Sequence, residues 1–198
     1  MATRRLKDTR AFTLTELLVT MAIGMVTLAA VTTTFMTQAR FYNAQEQVNQ
    51  MEQNARGALD VITRELKMAG YNPAGGSFYG VTYSASQLMI QADLDSSGSI
   101  STDSTKNEQI VYAFDNANNR ITRRVGTGST EVLADNITAF TFSYLDASGA
   151  STSVSADIRQ VAISITAQTA NPDPNYAQNN GYRTYQIAAT VTPVNLGL

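Results

Sequence analysis

Arg10-Ala11-Phe12-Thr13-Leu14-Thr15-Glu16-Leu17-Leu18-Val19 is the stretch on which the reading of this chain turns. To its right there is no charged residue from Leu17 to Ala39. The run LLVTMAIGMVTLAAVTTTFM is long enough to cross the ~30 Å hydrocarbon of a bilayer as a helix, and Arg40 ends it. To its left, residues 1–11 hold Arg4, Arg5, Lys7 and Arg10 against Asp8 alone, so the chain starts with a net charge of +3. A basic start before an apolar run is a targeting pattern before it is a folding pattern. A cleaved secretory signal would have an apolar centre of roughly 7–15 residues and a small-x-small exit. This run is longer, and no clean exit follows it. Glu16 stands at its mouth, where an ionised carboxylate is costly to insert and marks a function. The bland alternative for the same residue is an interfacial acid that stays wet.

Composition narrows the chemistry further. The 198 residues are 43% apolar, enough for one main globular domain with an appended element. Charged residues make up 15%, well below the roughly 25% of an average domain, so the surface is largely neutral and hydrogen-bonding. There is neither cysteine nor histidine. That removes disulfides, thiolate and imidazole ligands, cysteine nucleophiles and every histidine-based acid–base arrangement, and no phosphate loop or paired catalytic motif is visible, so no enzyme is expected. With 14 basic against 16 acidic residues, no nucleic-acid surface is expected either. Beyond the basic start, Arg120, Arg123 and Arg124 form a small basic grouping, but neighbouring strand positions send Arg123 and Arg124 to opposite faces.

The Arg10–Val19 string closely resembles the class III signal of type IV pilins and their relatives. That resemblance implies a basic leader over 1–11 cut between Ala11 and Phe12, N-methylation of Phe12, and an apolar helix that stays on the protein. It also implies that Glu16 pairs with a neighbouring subunit's amino terminus during assembly. Residue 11 is Ala where the family usually has Gly, and residue 15 is Thr where Ile is common. A threonine hydroxyl can bond back to a helix carbonyl, so it is tolerated there.

Beyond Arg40 the pattern turns amphipathic. Phe41, Ala44, Val48, Met51, Ala55, Leu59, Ile62, Leu66 and Ala69 recur at spacings of three and four, and Gly70 with Pro73 marks the stop. A helix from Phe12 to Ala69 would be roughly 87 Å long. Its segments are 12–39, membrane or filament core, and 40–70, amphipathic; a free coiled coil is the alternative for the second, although charges flanking its seam are sparse. Gly24 and Thr32-Thr33-Thr34 are weak helix formers, expected to loosen on entry into a filament.

Residues 71–198 read as an antiparallel β-rich domain, with strands at Gln87–Ala92, Gln109–Phe114, Arg120–Val125, Ile137–Leu145, Ile158–Ala167 and Tyr182–Thr192. The fold class is α+β: a long N-terminal helical spine packed on a C-terminal antiparallel sheet, as in type IV pilins. Within this domain, 93–104 resembles an EF-hand calcium loop. Asp93, Asp95, Ser97 and Ser101 would offer side chains and Ser99 its carbonyl, with Gly98 at the sharp turn. The twelfth position is Ser104, so Asp103 or Glu108 would have to replace the usual glutamate. Flanking strands replace the usual helices, and a solvated acidic hairpin loop is the alternative. Calcium is therefore the one cofactor expected. Asn171-Pro172-Asp173-Pro174-Asn175-Tyr176 reads as an exposed loop.

The phrases Tyr42-Asn43-Ala44-Gln45-Glu46-Gln47, Arg56 to Leu66, Met68-Ala69-Gly70-Tyr71 and the closing Val191 to Leu196 are similar to minor pilins of the W type. What this implies is a subunit that primes assembly of a type IV pilus. Its partners would be the prepilin peptidase and methyltransferase, other major and minor pilins, and the inner-membrane assembly platform. It would sit as a single-pass inner-membrane protein with its C-terminal domain periplasmic before assembly, and in the extracellular filament afterwards. A J-like minor pseudopilin of a type II secretion system shares these features, and a pilus-displayed adhesin or ligand-binding domain is a further alternative.

Overall fold

The structure is a computed structural model and describes residues 12–196; the leader 1–11, including Ala11, lies outside the described residues. One helix, α1 (Leu14–Lys67), opens the chain. It is capped from its own sequence. Thr13 Oγ1 accepts from the Glu16 amide at 3.3 Å, while Glu16 Oε2 accepts from the Thr13 amide at 2.9 Å and the Thr13 hydroxyl at 2.8 Å. This reciprocal pair is a capping box, which satisfies two of the amides a helix start leaves without partners. At the other end Arg64 and Lys67 complement the negative pole of the dipole. The helix stops two residues earlier than the apolar spacing predicts, and Gly70 then takes φ +78°.

The chain divides into two compact units at Gln45/Glu46. In the first, the α1 residues are helical without a break, through Gly24 and Thr32–Thr34. Leu14, Leu17, Leu18, Met25, Val26, Leu28 and Phe35 are all at least half exposed. The segment is long and apolar enough to cross a membrane, and none of it is buried in the protein. Its threonines turn their hydroxyls inward: Thr20, Thr27, Thr32, Thr33, Thr34 and Thr37 donate to carbonyls four residues back at 2.8–3.0 Å. Thr15 does not. It stands in the first turn, and its Oγ1 lies 3.1 Å from Thr13 Oγ1.

The second unit joins the rest of α1 to eight strands. These are β1 (Val81–Thr82), β2 (Gln87–Gln91), β3 (Gln109–Asp115), β4 (Arg120–Val125), β5 (Thr130–Asp135), β6 (Ile137–Leu145), β7 (Gln160–Gln168) and β8 (Thr184–Val191). They form two antiparallel sheets rather than one, β1-β2-β3-β4-β5 and β6-β7-β8. The change of sheet falls at Asn136, in the left-handed region at φ +57°, a conformation asparagine tolerates. Two register shifts accompany it. One makes Leu133 the extra residue of β5; the other lets Ile137 and Phe140, three apart, both stay buried on β6. β1 and β5 escape the alternation test, β1 because it is two residues long and β5 because its bulge interrupts the period.

Both sheets close on the apolar stripe of α1. Met51, Ala55, Ala58, Leu59, Ile62 and Leu66 join Leu88, Ile90, Ile110, Tyr112, Ile121, Val161, Ile163 and Ile165 in one core. The packed stripe starts at Val48, while Phe41 is 63% exposed, so the sheet-facing stripe is shorter than its sequence pattern. Each fully buried Ile or Leu contributes about 1.5–3 kcal/mol. With two sheets covering the stripe, the segment from Glu46 onward is a packed helix and not a free coiled coil. Gly80 lies so close to the helix exit that a Cβ there would meet Gly70 N at 2.2 Å. The approach is held by Gly70 N–H to Gln91 O at 2.9 Å and Gln91 N–H to Gly80 O at 2.8 Å.

Candidate functional site

Two places carry the residues singled out in the sequence. The first is the start of α1, where Phe12 is 77% exposed and Glu16 sits in the first turn. Both bonds that the Glu16 carboxylate accepts from Thr13 fall on Oε2, and among the described residues Oε1 has no partner. Glu16 is therefore held in one orientation with an acceptor to spare, one turn from Phe12. The T-x-x-E signature of Thr13-Leu14-Thr15-Glu16 was present in the sequence, and it adds a helix-starting role to a residue read only for its charge.

The second is the loop between β2 and β3. Asp93 and Glu108 are fully buried, and the carboxylate oxygens of Asp93, Asp95 and Glu108 lie within 4.8 Å of one another. Backbone amides hold them there. Asp93 accepts from Ser97 N and Gly98 N, both at 2.9 Å, and Glu108 accepts from Asp95 N at 3.0 Å and Ser101 N at 2.8 Å. Gly98 takes φ +78°, the sharp turn expected of it. Lys106 Nζ donates to Asp95 Oδ2 at 2.6 Å. That ammonium, followed by the Ser97 hydroxyl, holds the Asp95 carboxyl well below the usual carboxylate range, and Asp95 in turn raises Lys106.

The remaining loop oxygens go elsewhere. Asp103 Oδ1 accepts from the amide and hydroxyl of Thr105, both at 2.9 Å, which lowers its pKa and leaves it outside the trio. Ser99 gives its carbonyl to Ser97 Oγ at 3.0 Å, and Ser101 Oγ accepts from Asp103 N at 3.2 Å. Of the two replacements open for the twelfth position, Glu108 is the one brought in. Three hard oxygen ligands of this kind suit a hard cation. Loop and body are fitted backbone to backbone: a Cβ on Gly76 would meet Gly98 O at 1.9 Å, and one on Gly126 would meet Thr102 O at 2.0 Å.

The arginine grouping is not a free basic patch. Arg120 pairs with Asp115 at 2.9 Å, Arg123 with Glu65 at 2.7 Å, and Arg124 donates to Gly126 O at 2.8 Å. Glu65 also accepts from the hydroxyl of the buried Tyr112, so one helix carboxylate ties α1 to both β3 and β4. Burial, and next the Glu65 bond, raise the Tyr112 phenol above its ordinary value. Sequence reasoning did not find this trio, whose members lie far apart along the chain.

Comparison with known proteins adds the family. The prokaryotic N-terminal methylation motif matches residues 6–32, and the model of prepilin peptidase-dependent protein B matches residues 44–192. No curated protein is matched. Among solved structures, a type IV-like pilin from Thermus thermophilus is similar at 13% identity and a TM-score of 0.44, over 77% of this chain and 98% of that one. With three quarters of its length under one family model and the methylation motif at its head, the chain belongs to the prepilin peptidase-dependent protein B family.

Proposed function

We propose that this protein is a minor pilin of the W type: a structural subunit, not an enzyme, that takes part in priming a type IV pilus. The leader is cut between Ala11 and Phe12, Phe12 is N-methylated, and Glu16 receives the amino terminus of a neighbouring subunit. The observation that carries this reading is Glu16 in the first turn of an uninterrupted helix, with Oε2 spent on the cap and Oε1 without a partner among the described residues. An ammonium taken into an apolar filament core needs an opposite charge, because an unpaired buried charge is strongly destabilising. Its partners are then the prepilin peptidase and methyltransferase, other pilins and the inner-membrane platform. The subunit waits in the inner membrane with residues beyond the apolar segment in the periplasm.

Glu16→Gln and Glu16→Ala separate the two jobs of this residue, since glutamine keeps the capping box while removing the charge. Intact mass spectrometry of membranes and sheared filaments should show both variants cleaved and methylated but absent from filaments. Normal incorporation of Glu16→Gln would refute the charge role. A pseudopilin of a type II secretion system is the second reading of the same helix; co-purification with a secretion apparatus instead of a pilus would favour it.

The 93–108 loop supports a weak calcium site on Asp93, Asp95 and Glu108, with a dissociation constant on the order of 10⁻⁴–10⁻³ M. Lys106 must release Asp95 to admit the ion. Calorimetry at millimolar calcium should register heat, and absence of both heat and a rise in melting temperature would refute the site.

A further inference from the structure

The turn between β1 and β2, residues 83–86, faces the edge of β6 and the returning chain at 151–153 across a cavity of about 360 Å³. That volume falls in the lower part of the roughly 300–1,000 Å³ range of small-molecule sites. The walls are pinned to each other. The Tyr144 hydroxyl is shared between Ser84 O at 3.1 Å and Gln87 O at 3.2 Å, the Tyr83 amide donates to Ser155 Oγ at 3.0 Å, and Thr152 N donates to Tyr144 O at 2.9 Å. A row of rings runs along one side, with centroids 5.3 Å apart from Tyr83 to Tyr144 and 5.8 Å apart from Tyr144 to Phe142. Tyr144 is buried, while the row ends at Tyr83 with a ring that is 42% exposed.

The chemistry of the lining is narrow, for it contains no charged residue. Two of its hydroxyls are engaged: Ser84 Oγ accepts from Ser86 N at 3.4 Å and Thr152 Oγ1 from Val154 N at 3.1 Å. The hydroxyls of Tyr83, Ser143, Ser151 and Ser153 line the same cavity and have no partner among the described residues. One pair of backbone groups joins them. Tyr144 turns its carbonyl outward to Thr152, and inward and outward positions alternate along an antiparallel strand, so the amide and carbonyl of Phe142 also point away from β7.

We propose that this cavity binds a neutral saccharide. A sugar ring carries apolar C–H faces beside hydroxyls that both donate and accept. The exposed ring of Tyr83 covers such a face, and the four free hydroxyls with the Phe142 backbone meet the sugar's own hydroxyls. A charged ligand would give up its hydration here and find no counter-charge in the lining. An extended peptide would need a run of open backbone along β6, and Thr152 already occupies that edge at Tyr144. Tyrosine for rigid contact area and serine for adaptable hydrogen bonding is the combination that antibody paratopes also use. The subunit then carries a recognition site apart from both Glu16 and the 93–108 loop.

The test uses the full-length protein in an alkyl polyoxyethylene detergent, whose head group is not a sugar. It is titrated with maltotriose, cellotriose, lactose and triacetylchitotriose, and with trigalacturonate as an acidic counterpart. Saturation-transfer NMR, irradiating the aromatic protons, reads binding at the sugar C–H groups. At least one neutral sugar should show transfer, and trigalacturonate should show less. Tyr83→Ala should weaken binding about three- to tenfold, the worth of one ring contact. Tyr79→Ala, at a ring 54% exposed outside the cavity, should leave it unchanged. Ser153→Arg fills the cavity from an exposed position, so it should abolish transfer while keeping a wild-type melting curve, and it preserves the test if Tyr83→Ala unfolds. Absence of transfer to every neutral sugar, equal transfer to trigalacturonate, or transfer that survives Ser153→Arg would overturn the proposal. So would loss of Ser153→Arg from filaments when the wild type binds no sugar, which assigns the cavity to a contact between subunits.

Discussion

Replacing Glu108 by glutamine is the sharpest probe of how the β2–β3 loop is held. Both oxygens of the buried carboxylate accept backbone amides, Asp95 N at 3.0 Å and Ser101 N at 2.8 Å. Glutamine has one acceptor oxygen and turns the other position into a donor, so whichever way the amide is placed, one loop N–H faces an N–H. Leaving one such buried donor unsatisfied costs about 1–3 kcal/mol. At about 2–4 °C per kcal/mol for a domain of this size, the melting temperature should fall by about 2–12 °C. The assay is the near-ultraviolet tyrosine signal of the full chain in detergent, with a calcium chelator present. In chelator the loss must come from the protein's own hydrogen bonds. An unchanged melting temperature would refute the account of the loop as a backbone cradle and leave Glu108 relevant only to a cation.

Other consequences follow from the same packing. Gly80→Ala would push a methyl to within 2.2 Å of Gly70 N and 2.4 Å of its Cα, both backbone atoms. It should cost at least the ~1–3 kcal/mol typical of overpacking, and a wild-type melting curve would contradict the close approach. The phenols give a pH dependence of definite sign. Tyr112 is raised by burial and then by Glu65, and burial pushes Tyr144 up to about 12. Neutral tyrosine is thus favoured in the folded state, so the stabilisation is complete below about pH 10, where unfolded tyrosine ionises, and declines above it. Melting followed from pH 8 to 11 should show this decline, and Tyr112→Phe should flatten it; an identical alkaline limb in the variant would contradict the assignment.

What the sequence made legible followed from periodicity. β4 and β6 begin and end where alternation places them, and the helix stripe from Met51 to Leu66 is the buried one, because one-sided burial imposes period two on strands and three-to-four on helices. Phe41 continued that pattern without being buried, since periodicity records a face and not what covers it. The division into two sheets escaped notice because it depends on Asn136 and the offset between Ile137 and Ala139, and a register shift has no periodic signature. At the loop, Asp93, Asp95 and Gly98 were readable from local spacing. The departure of Asp103 toward Thr105 was settled by two short hydrogen bonds that spacing could not rank. Glu65, Tyr112 and Arg123 meet only through tertiary packing.

A hydroxyl that already donates to the carbonyl four residues behind it has no proton left to offer. Thr20, Thr27, Thr32, Thr33, Thr34 and Thr37 therefore show their surroundings little more than methyl groups, and the apolar helix is slippery in the chemical sense. Facing acyl chains or the flank of another protein, such a hydroxyl needs no partner beyond its own helix. A segment written in threonine can thus read as polar on the page and still move as grease.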